Sequence, residues 1–260
     1  MIKLIASDID GTLITDYKVG LPTEIYELIS ELKQRNIHFV VASGRQLASQ
    51  QYLFAPVKDL ISYISENGAI CMHEGTRYVV SQFDRSLAMR ILRELDKFPF
   101  CKGTVSTPNT QYIKIGDADF YKYMSENLKY HVTPIDSFED IREPIVKIGF
   151  FDPVTFSDSI AYFRSMFESE IRVAQAGINW FDFIAFDSNK GTALKFLSEK
   201  MSLAPSQIIS FGDQQNDIEM LQFTGESYVM AHSKPEIQKY ATHITHNVAD
   251  SLREIIKTLG

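Results

Sequence analysis

The chain is poor in the residues that would assign it quickly to a class. It has two cysteines, Cys71 and Cys101, too few and too far apart for a disulfide framework or the paired spacing of a zinc site. No apolar run approaches the roughly 18 residues that a membrane-spanning helix needs. Asp8 and Asp10 interrupt the N-terminus before the apolar region of a signal peptide is complete. These features lead us to expect a soluble, cytoplasmic protein with no membrane partner. Basic residues are also in deficit: 26 Lys and Arg stand against 33 Asp and Glu, a formal net charge of −7. A partner held through nucleic-acid phosphates needs a basic surface, so no nucleic acid is expected. An acidic surface repels anionic substrates unless a cation or a cluster of donors receives them, which points to a metal if the ligand is a phosphate. There is no internal repeat, low-complexity tract or obvious linker. What is present, 45% hydrophobic and 23% charged residues over 260 positions, suits a soluble globular protein of one large or two ordinary domains. The sequence sets its oligomeric state no more closely than monomer or weak homo-oligomer.

The chain alternates short β-rich runs with amphipathic helices, the pattern of α/β architecture. Ile2 to Ala6 reads as a buried strand running into Asp8-Ile9-Asp10-Gly11-Thr12-Leu13. Ile25, Leu28, Ile29 and Leu32 mark one apolar face of a helix over Pro22 to Arg35. His38 to Ala42 is a second buried strand ending at Ser43-Gly44-Arg45, so both strand ends open on the same side of a parallel sheet. Ile61 to Ser65 and Ala69 to Met72 flank a hairpin turn at Glu66-Asn67-Gly68, and Tyr78 to Ser81 extends that meander. From about Gln82 to Phe186 aromatics are dense, with helices expected at 85–97, 119–128 and 155–167 and strands at 112–115 and 146–151. These aromatics read as the core of a separate α+β unit. The first pattern returns at Lys190 with a helix over Thr192 to Lys200 and a strand over Ile208 to Phe211. A helix at 218–223, a strand at 227–230 and helices at 235–240 and 249–259 follow. We therefore expect a Rossmann-like, doubly wound parallel sheet built from residues 1–82 and 187–260, interrupted by an inserted α+β domain over 83–186.

Four features fall at strand ends or helix starts of the split domain. They are Asp8 with Asp10, Ser43-Gly44-Arg45, Lys190-Gly191, and Asp213 with Asn216 and Asp217. Each has a plain alternative: an acidic turn, a loop, a solvated lysine, a turn with a helix cap. Together they supply what phosphoryl transfer requires, which is positioning and charge neutralisation. Clustered carboxylates repel one another, and Mg²⁺, which prefers oxygen ligands, relieves that. Ser43 and the amides of Gly44 and Gly11 offer hydrogen bonds to phosphate oxygens, and Lys190 offers a compact positive charge. An aspartate that attacks phosphorus forms an aspartyl-phosphate. A second acid nearby can protonate the leaving group and then deprotonate water. His243 and His246, three apart on a strand or its end, point to opposite faces, which argues against zinc there.

In order and in residue content, these four segments resemble the four motifs of the haloacid dehalogenase superfamily. Ser65-Glu66-Asn67-Gly68-Ala69 and the spacing look like its Cof-type phosphatase branch, in which an α/β cap lies between motifs two and three. The resemblance implies that Asp8 is the nucleophile and Asp10 the general acid/base. It implies Mg²⁺ held by Asp8, the Asp10 backbone carbonyl and Asp213, with Asp217 supporting the metal site. Gly11, Thr12, Ser43, Gly44, Lys190 and Asn216 fall to the substrate phosphate, and Arg45 to the rest of the substrate. The implied activity is a phosphatase for small phosphorylated metabolites such as sugar phosphates. The alternatives are a phosphomutase of the phosphomannomutase type or a weakly active ligand sensor. The chain departs from the family pattern after the strand at 227–230. There Met230-Ala231-His232-Ser233 stands where Met-Gly-Asn-Ala is expected. Asn179-Trp180-Phe181-Asp182-Phe183 is unusually aromatic and reads as a strand of the insert.

Overall fold

The computed structural model describes residues 1–16 and 18–258. The chain begins with β1 (Leu4–Ser7), α1 (Glu24–Gln34), β2 (His38–Ala42), α2 (Leu47–Leu53), β3 (Ile61–Ser65), β4 (Ile70–His73) and β5 (Thr76–Val79). It continues through α3 (Arg85–Glu94), β6 (Lys102–Ser106), β7 (Gln111–Lys114), α4 (Ala118–Lys122), β8 (Val132–Ile135), β9 (Lys147–Phe151), α5 (Phe156–Phe167), β10 (Arg172–Gly177) and β11 (Trp180–Ile184). It ends with α6 (Lys190–Lys200), β12 (Ile208–Gly212), α7 (Ile218–Phe223), β13 (Glu226–Met230), α8 (Pro235–Gln238), β14 (His243–Thr245) and α9 (Val248–Thr258). Two compact units result: Met1–Val80 with Asn189–Gly260, and Ser81–Ser188.

The first unit holds an eight-stranded sheet in the order β14-β13-β12-β1-β2-β3-β4-β5. The six strands from β14 to β3 run parallel, and β4 and β5 turn back antiparallel. Alternation along β1 explains the layering. Ile5 faces one apolar cluster with Ile25, Leu28, Ile29 and Leu32 of α1 and Leu252, Ile255 and Ile256 of α9. Leu4 and Ala6 face another with Ala193, Leu194 and Leu197 of α6. Each leucine or isoleucine among them, fully buried, contributes roughly 1.5–3 kcal/mol. The strand order reverses at β1, whose neighbours are β2 and β12. In open α/β sheets, such a reversal leaves a crevice beyond the carboxyl ends of the two strands.

The second unit is a six-stranded sheet in the order β10-β11-β9-β6-β7-β8. Phe150 of β9 meets Phe163, Phe181 and Phe183 edge-on, with centroids 4.9, 5.5 and 5.1 Å away. Aromatic pairs favour this geometry. The segment 180–184 is a strand whose phenylalanines belong to this core, while Trp180 lies 5.1 Å from Phe151 on the opposite face. The helix expected over 119–128 is α4 followed by a wider π turn at Tyr123–Asn127. The short strands β6, β8 and β10 and the helix α2 have no counterpart in the sequence reading. The expected helix at 249–259 is α9, and its last residue lies outside the described residues.

At the amino end of β2, His38 Nε2 lies 2.8 Å from Ser62 Oγ, which lies 2.8 Å from His73 Nδ1. Burial, with His73 and Lys33, pushes the His38 imidazole from 6.5 down to about 4. As pH falls below the ordinary histidine range, the unfolded chain takes up a proton that the folded chain refuses. The stability present above 6.5 is therefore lost as pH falls towards 4. His38→Gln is expected to flatten this loss by on the order of 2–3 kcal/mol. Thermal melts of both proteins across that pH range measure it.

Candidate active site

Asp8 follows β1 directly, and its amide donates to the Phe211 carbonyl of β12 at 3.0 Å. This ties the two strand ends on either side of the reversal point. Lys190 opens α6, where Asn189 caps the helix by accepting from the Thr192 amide at 2.7 Å. The loop 66–68 lies against this helix start. Gly68 has φ +103°, and a Cβ there would stand 2.2 Å from the Asn189 carbonyl.

Lys190 is fully buried, and its Nζ donates to Asp8 Oδ1 at 2.5 Å and to Asp217 Oδ1 at 2.6 Å. Asp217 Oδ2 accepts from the Asp213 and Gln214 amides at 2.9 and 3.0 Å. Both Asp217 oxygens are thus already engaged, so its carboxylate steadies the Asp213 loop and the lysine. The second oxygen of Asp8, Oδ2, is buried with no hydrogen-bond partner among the described residues. Carboxylate oxygens of Asp8, Asp213 and Asp217 can be chosen within 4.8 Å of one another. Three carboxylates face one ammonium, and the titration behaviour follows from that imbalance. Burial first, then Asp217 and Asp213, hold the Asp8 carboxyl well above the ordinary range against the pull of Lys190. Burial and Asp217 likewise raise Asp213. Burial alone would lower Lys190, but Asp217 and Asp8 outweigh it and keep the ammonium charged. A buried acidic cluster short of positive charge, with an unpartnered oxygen, fits a hard divalent cation.

The other expected residues divide. Asp10 is paired with Arg45, whose Nε and Nη2 donate to Oδ2 and Oδ1 at 2.8 and 2.5 Å. Arg45 was expected on the substrate; here its fork faces a carboxylate, the geometry that guanidinium matches best. The Thr12 hydroxyl, expected on phosphate, donates to Asp213 Oδ1 at 3.0 Å. Its one proton is thus given to the Asp213 carboxylate, which it orients. The Gly11 amide, also expected on phosphate, donates to the Ile14 carbonyl at 2.9 Å. Gly11 is needed for a different reason: at φ +94° a Cβ would stand 2.2 Å from Asp213 Oδ2. Gly11→Ala is therefore expected to cost about 1–3 kcal/mol in stability. It is also expected to weaken Mg²⁺ binding by about tenfold or more, because Asp213 must give way. Calorimetric titration and thermal melts check both.

Ser43 is buried beyond β2, and its Oγ accepts from the Arg45 amide at 3.2 Å. A Cβ on Gly44 would meet Asn67 Oδ1 at 2.9 Å, so that loop passes close to Asn67. Asn216 Nδ2 donates to Asn67 Oδ1 at 3.2 Å, and the Asn67 amide donates to the Ser43 carbonyl at 3.2 Å. Asn67, at φ 55°, thus links two of the motif loops. The sequence offers Asn67 as a turn residue and as part of the Cof-type segment Ser65–Ala69, and gives no sign of these two contacts. His232, in the atypical loop, places Nε2 3.7 Å from Asp213 Oδ2. Gln238 Nε2 fixes that loop by donating to the Ala231 and Ser233 carbonyls, both at 3.0 Å.

The pattern of the haloacid dehalogenase-like hydrolases matches residues 5–252. The chain belongs to this family. Among relatives of this hydrolase, a 5-amino-6-(5-phospho-D-ribitylamino)uracil phosphatase of Escherichia coli (strain K12) is 26% identical, over 89% of this chain and 86% of that protein. A Bacillus subtilis (strain 168) protein of the same name is 24% identical, over 98% and 96%. A haloacid dehalogenase-like hydrolase from Bacteroides thetaiotaomicron shares the fold with a TM-score of 0.84 at 18% identity, over 98% and 100% of the two chains. The α/β architecture agrees with that kinship. Among the described residues, no helix is long and apolar enough to cross a membrane.

Proposed function

We propose that this hydrolase is a Mg²⁺-dependent phosphatase of small phosphorylated metabolites that works through an aspartyl-phosphate on Asp8. The observation that carries this reading is the buried Asp8 carboxylate, held on one oxygen by Lys190 and, among the described residues, unpartnered on the other. Asp8, the Asp10 backbone carbonyl and Asp213 would hold Mg²⁺, which when bound neutralises charge on the phosphoryl oxygens. In the first half-reaction an Asp8 oxygen forms a bond to phosphorus as the ester oxygen leaves, and that oxygen takes a proton from Asp10. In the second half, Asp10 takes a proton from water, the water oxygen bonds to phosphorus, and Asp8 and inorganic phosphate are released. Lys190 keeps its charge beside the transferring group, and Ser43 and Asn216 stand at the neighbouring loop ends to receive phosphate oxygens. Arg45 holds the Asp10 side chain, so Asp10 reaches the ester by exchanging that partner or by working from it.

The substrate class is a phosphomonoester of a polyhydroxylated metabolite. The names of the two related phosphatases favour a phosphorylated sugar or sugar alcohol carrying a further ring. The test is release of free phosphate from a panel of sugar phosphates, polyol phosphates and 5-amino-6-(5-phospho-D-ribitylamino)uracil, with Mg²⁺ and with chelator. Release from several monoesters that stops with chelator is the expected result. An isomerised sugar phosphate without net phosphate release would replace this reading with a mutase. Metabolite binding with no turnover would replace it with a sensor.

A further inference from the structure

We propose that His38 and His73 form a binding site for a borderline-soft divalent cation of the zinc or nickel type, separate from the aspartate cluster. The site lies at the other end of the same sheet. His38 pairs in register with Leu4, and Val41 with Ser7, so His38 stands level with the start of β1 while Asp8 follows its end. Four residues of strand separate the two levels, about 13 Å at the usual rise.

Three elements bring the ligands together. His38 opens β2, Ser62 lies in β3, and His73 ends β4, next to the Tyr63–Met72 pair of the antiparallel ladder. Nε2 of His38 and Nδ1 of His73 both face one buried oxygen, Ser62 Oγ, at 2.8 Å each. The two rings stand perpendicular, with centroids 5.3 Å apart. A hydroxyl has one proton, so it donates to one ring and accepts the N–H of the other. One ring nitrogen at this junction therefore already carries a lone pair directed at a shared point. When the ring proton of the second histidine moves to its outward nitrogen, both inner nitrogens present lone pairs there. Two imidazole nitrogens converging beside a hydroxyl oxygen make a ligand set for zinc-like ions, whose preferred donors are nitrogen and sulfur. They suit Mg²⁺ and Ca²⁺ poorly, since those ions take oxygen.

The surroundings admit such an ion. The histidines border a cavity of about 440 Å³ that Lys33, Asn36, Glu74 and Lys200 also line, room enough for the water molecules that complete a two-histidine site. Glu74, next to His73 in the chain, is the acidic residue of the lining. Lys200 carries its ammonium over the Tyr78 and Phe196 rings, at 5.3 and 5.4 Å. Lys33 and Lys200 lie in the last turns of α1 and α6 at this cavity, and the Lys33 charge bears on His38, so a bound cation rests on the imidazole donors and not on the charge of the lining. Burial keeps His38 neutral, the form that binds metal.

The experiment adds Zn²⁺ to the full chain in saturating Mg²⁺. It follows histidine ring nitrogens by NMR and affinity by calorimetry, in the wild type, His73→Gln, His38→Gln and Asp213→Asn. The ring nitrogens of His38 and His73 are expected to shift together within the first equivalent. Either histidine substitution is expected to weaken this binding by at least about tenfold, the loss seen even for indirect metal partners. Asp213→Asn is expected to keep it. Unmoved His38 and His73 resonances overturn the proposal, as does Zn²⁺ binding that Asp213→Asn abolishes and the histidine substitutions leave intact. The wild-type spectra decide the matter even if a variant fails to fold. The result is independent of the phosphatase reading, because none of these readouts depends on turnover.

Discussion

Asp8→Asn is expected to lower phosphate release by at least about 10⁴-fold, the loss typical when a nucleophile is removed from a group that acts as a unit. The amide keeps the size and shape of the carboxylate but has no nucleophilic oxygen. The same variant is expected to fold at neutral pH with thermal stability equal to or above that of the metal-free wild type. Lys190 keeps its contact with Asp217 at 2.6 Å when the Asp8 charge is gone. Burial, Asp217 and Asp213 raise the Asp8 carboxyl, so its ionisation works against the folded state. The sign follows. A carboxyl raised on folding contributes most stability below its unfolded value and loses that contribution as pH climbs through its folded value. The wild type without metal pays this penalty at neutral pH, and Asp8→Asn does not. Mg²⁺ titrations of the melting temperature test the same point. The rise caused by Mg²⁺ is expected to shrink in the variant, because one ligand and its unpartnered oxygen are gone. A variant that kept wild-type turnover would remove Asp8 from the chemistry, and one that unfolded would show that the carboxylate holds the site together.

The sequence was most legible where local pattern and chemistry coincide. Four buried residues of β1 running into Asp8, and five of β12 running into Asp213, announce strands that end on acids. The periodicity of α1 announces a helix with one buried face. These are short-range signals, and they led to the crevice. Partners across the chain were not legible. Thr12 followed a glycine in a phosphate-binding pattern, but its hydroxyl is spent on Asp213, 201 positions away. Arg45 sat beside Ser43 and Gly44 as a substrate candidate, yet Asp10 already matches its fork. Such pairings are decided by which loops meet in space, information that spacing along one strand does not carry. The second unit was harder for another reason. In β6, Thr104 and Ser106 are buried although polar, so the strand lacks the apolar alternation by which a strand is recognised. Thr104 donates to the Gly149 carbonyl at 3.1 Å, a satisfaction that only the folded sheet provides. Seven residues of α2 form too short a helix to show a period.

Lys190→Met tests the other half of the buried pair, and its largest effect is expected on stability. Lys190 is wholly inside the protein, and its ammonium is the cation on which both Asp8 and Asp217 bear. Methionine fills similar space with an adaptable apolar chain, so packing changes little and charge changes completely. Removing one partner of a buried ion pair costs about 3–5 kcal/mol, because the charge left behind has lost both its water and its counterion. Here two carboxylates are left beside a third, so the upper end of that range is expected without metal at neutral pH. Denaturant unfolding measures it. Lowering the pH is expected to restore part of the loss, since protonation of the stranded carboxyls removes the charge that has no partner. Mg²⁺ is expected to restore part of it at neutral pH, since a divalent ion supplies the missing positive charge to Asp8 and Asp213. Turnover is expected to stay low in Mg²⁺ even where stability recovers, because the cation that faces the transferring phosphoryl group is still absent. Full stability without metal in Lys190→Met would mean that the three carboxylates do not share the charge deficit inferred for them. The fit of a divalent cation to the site would then lose its main physical support.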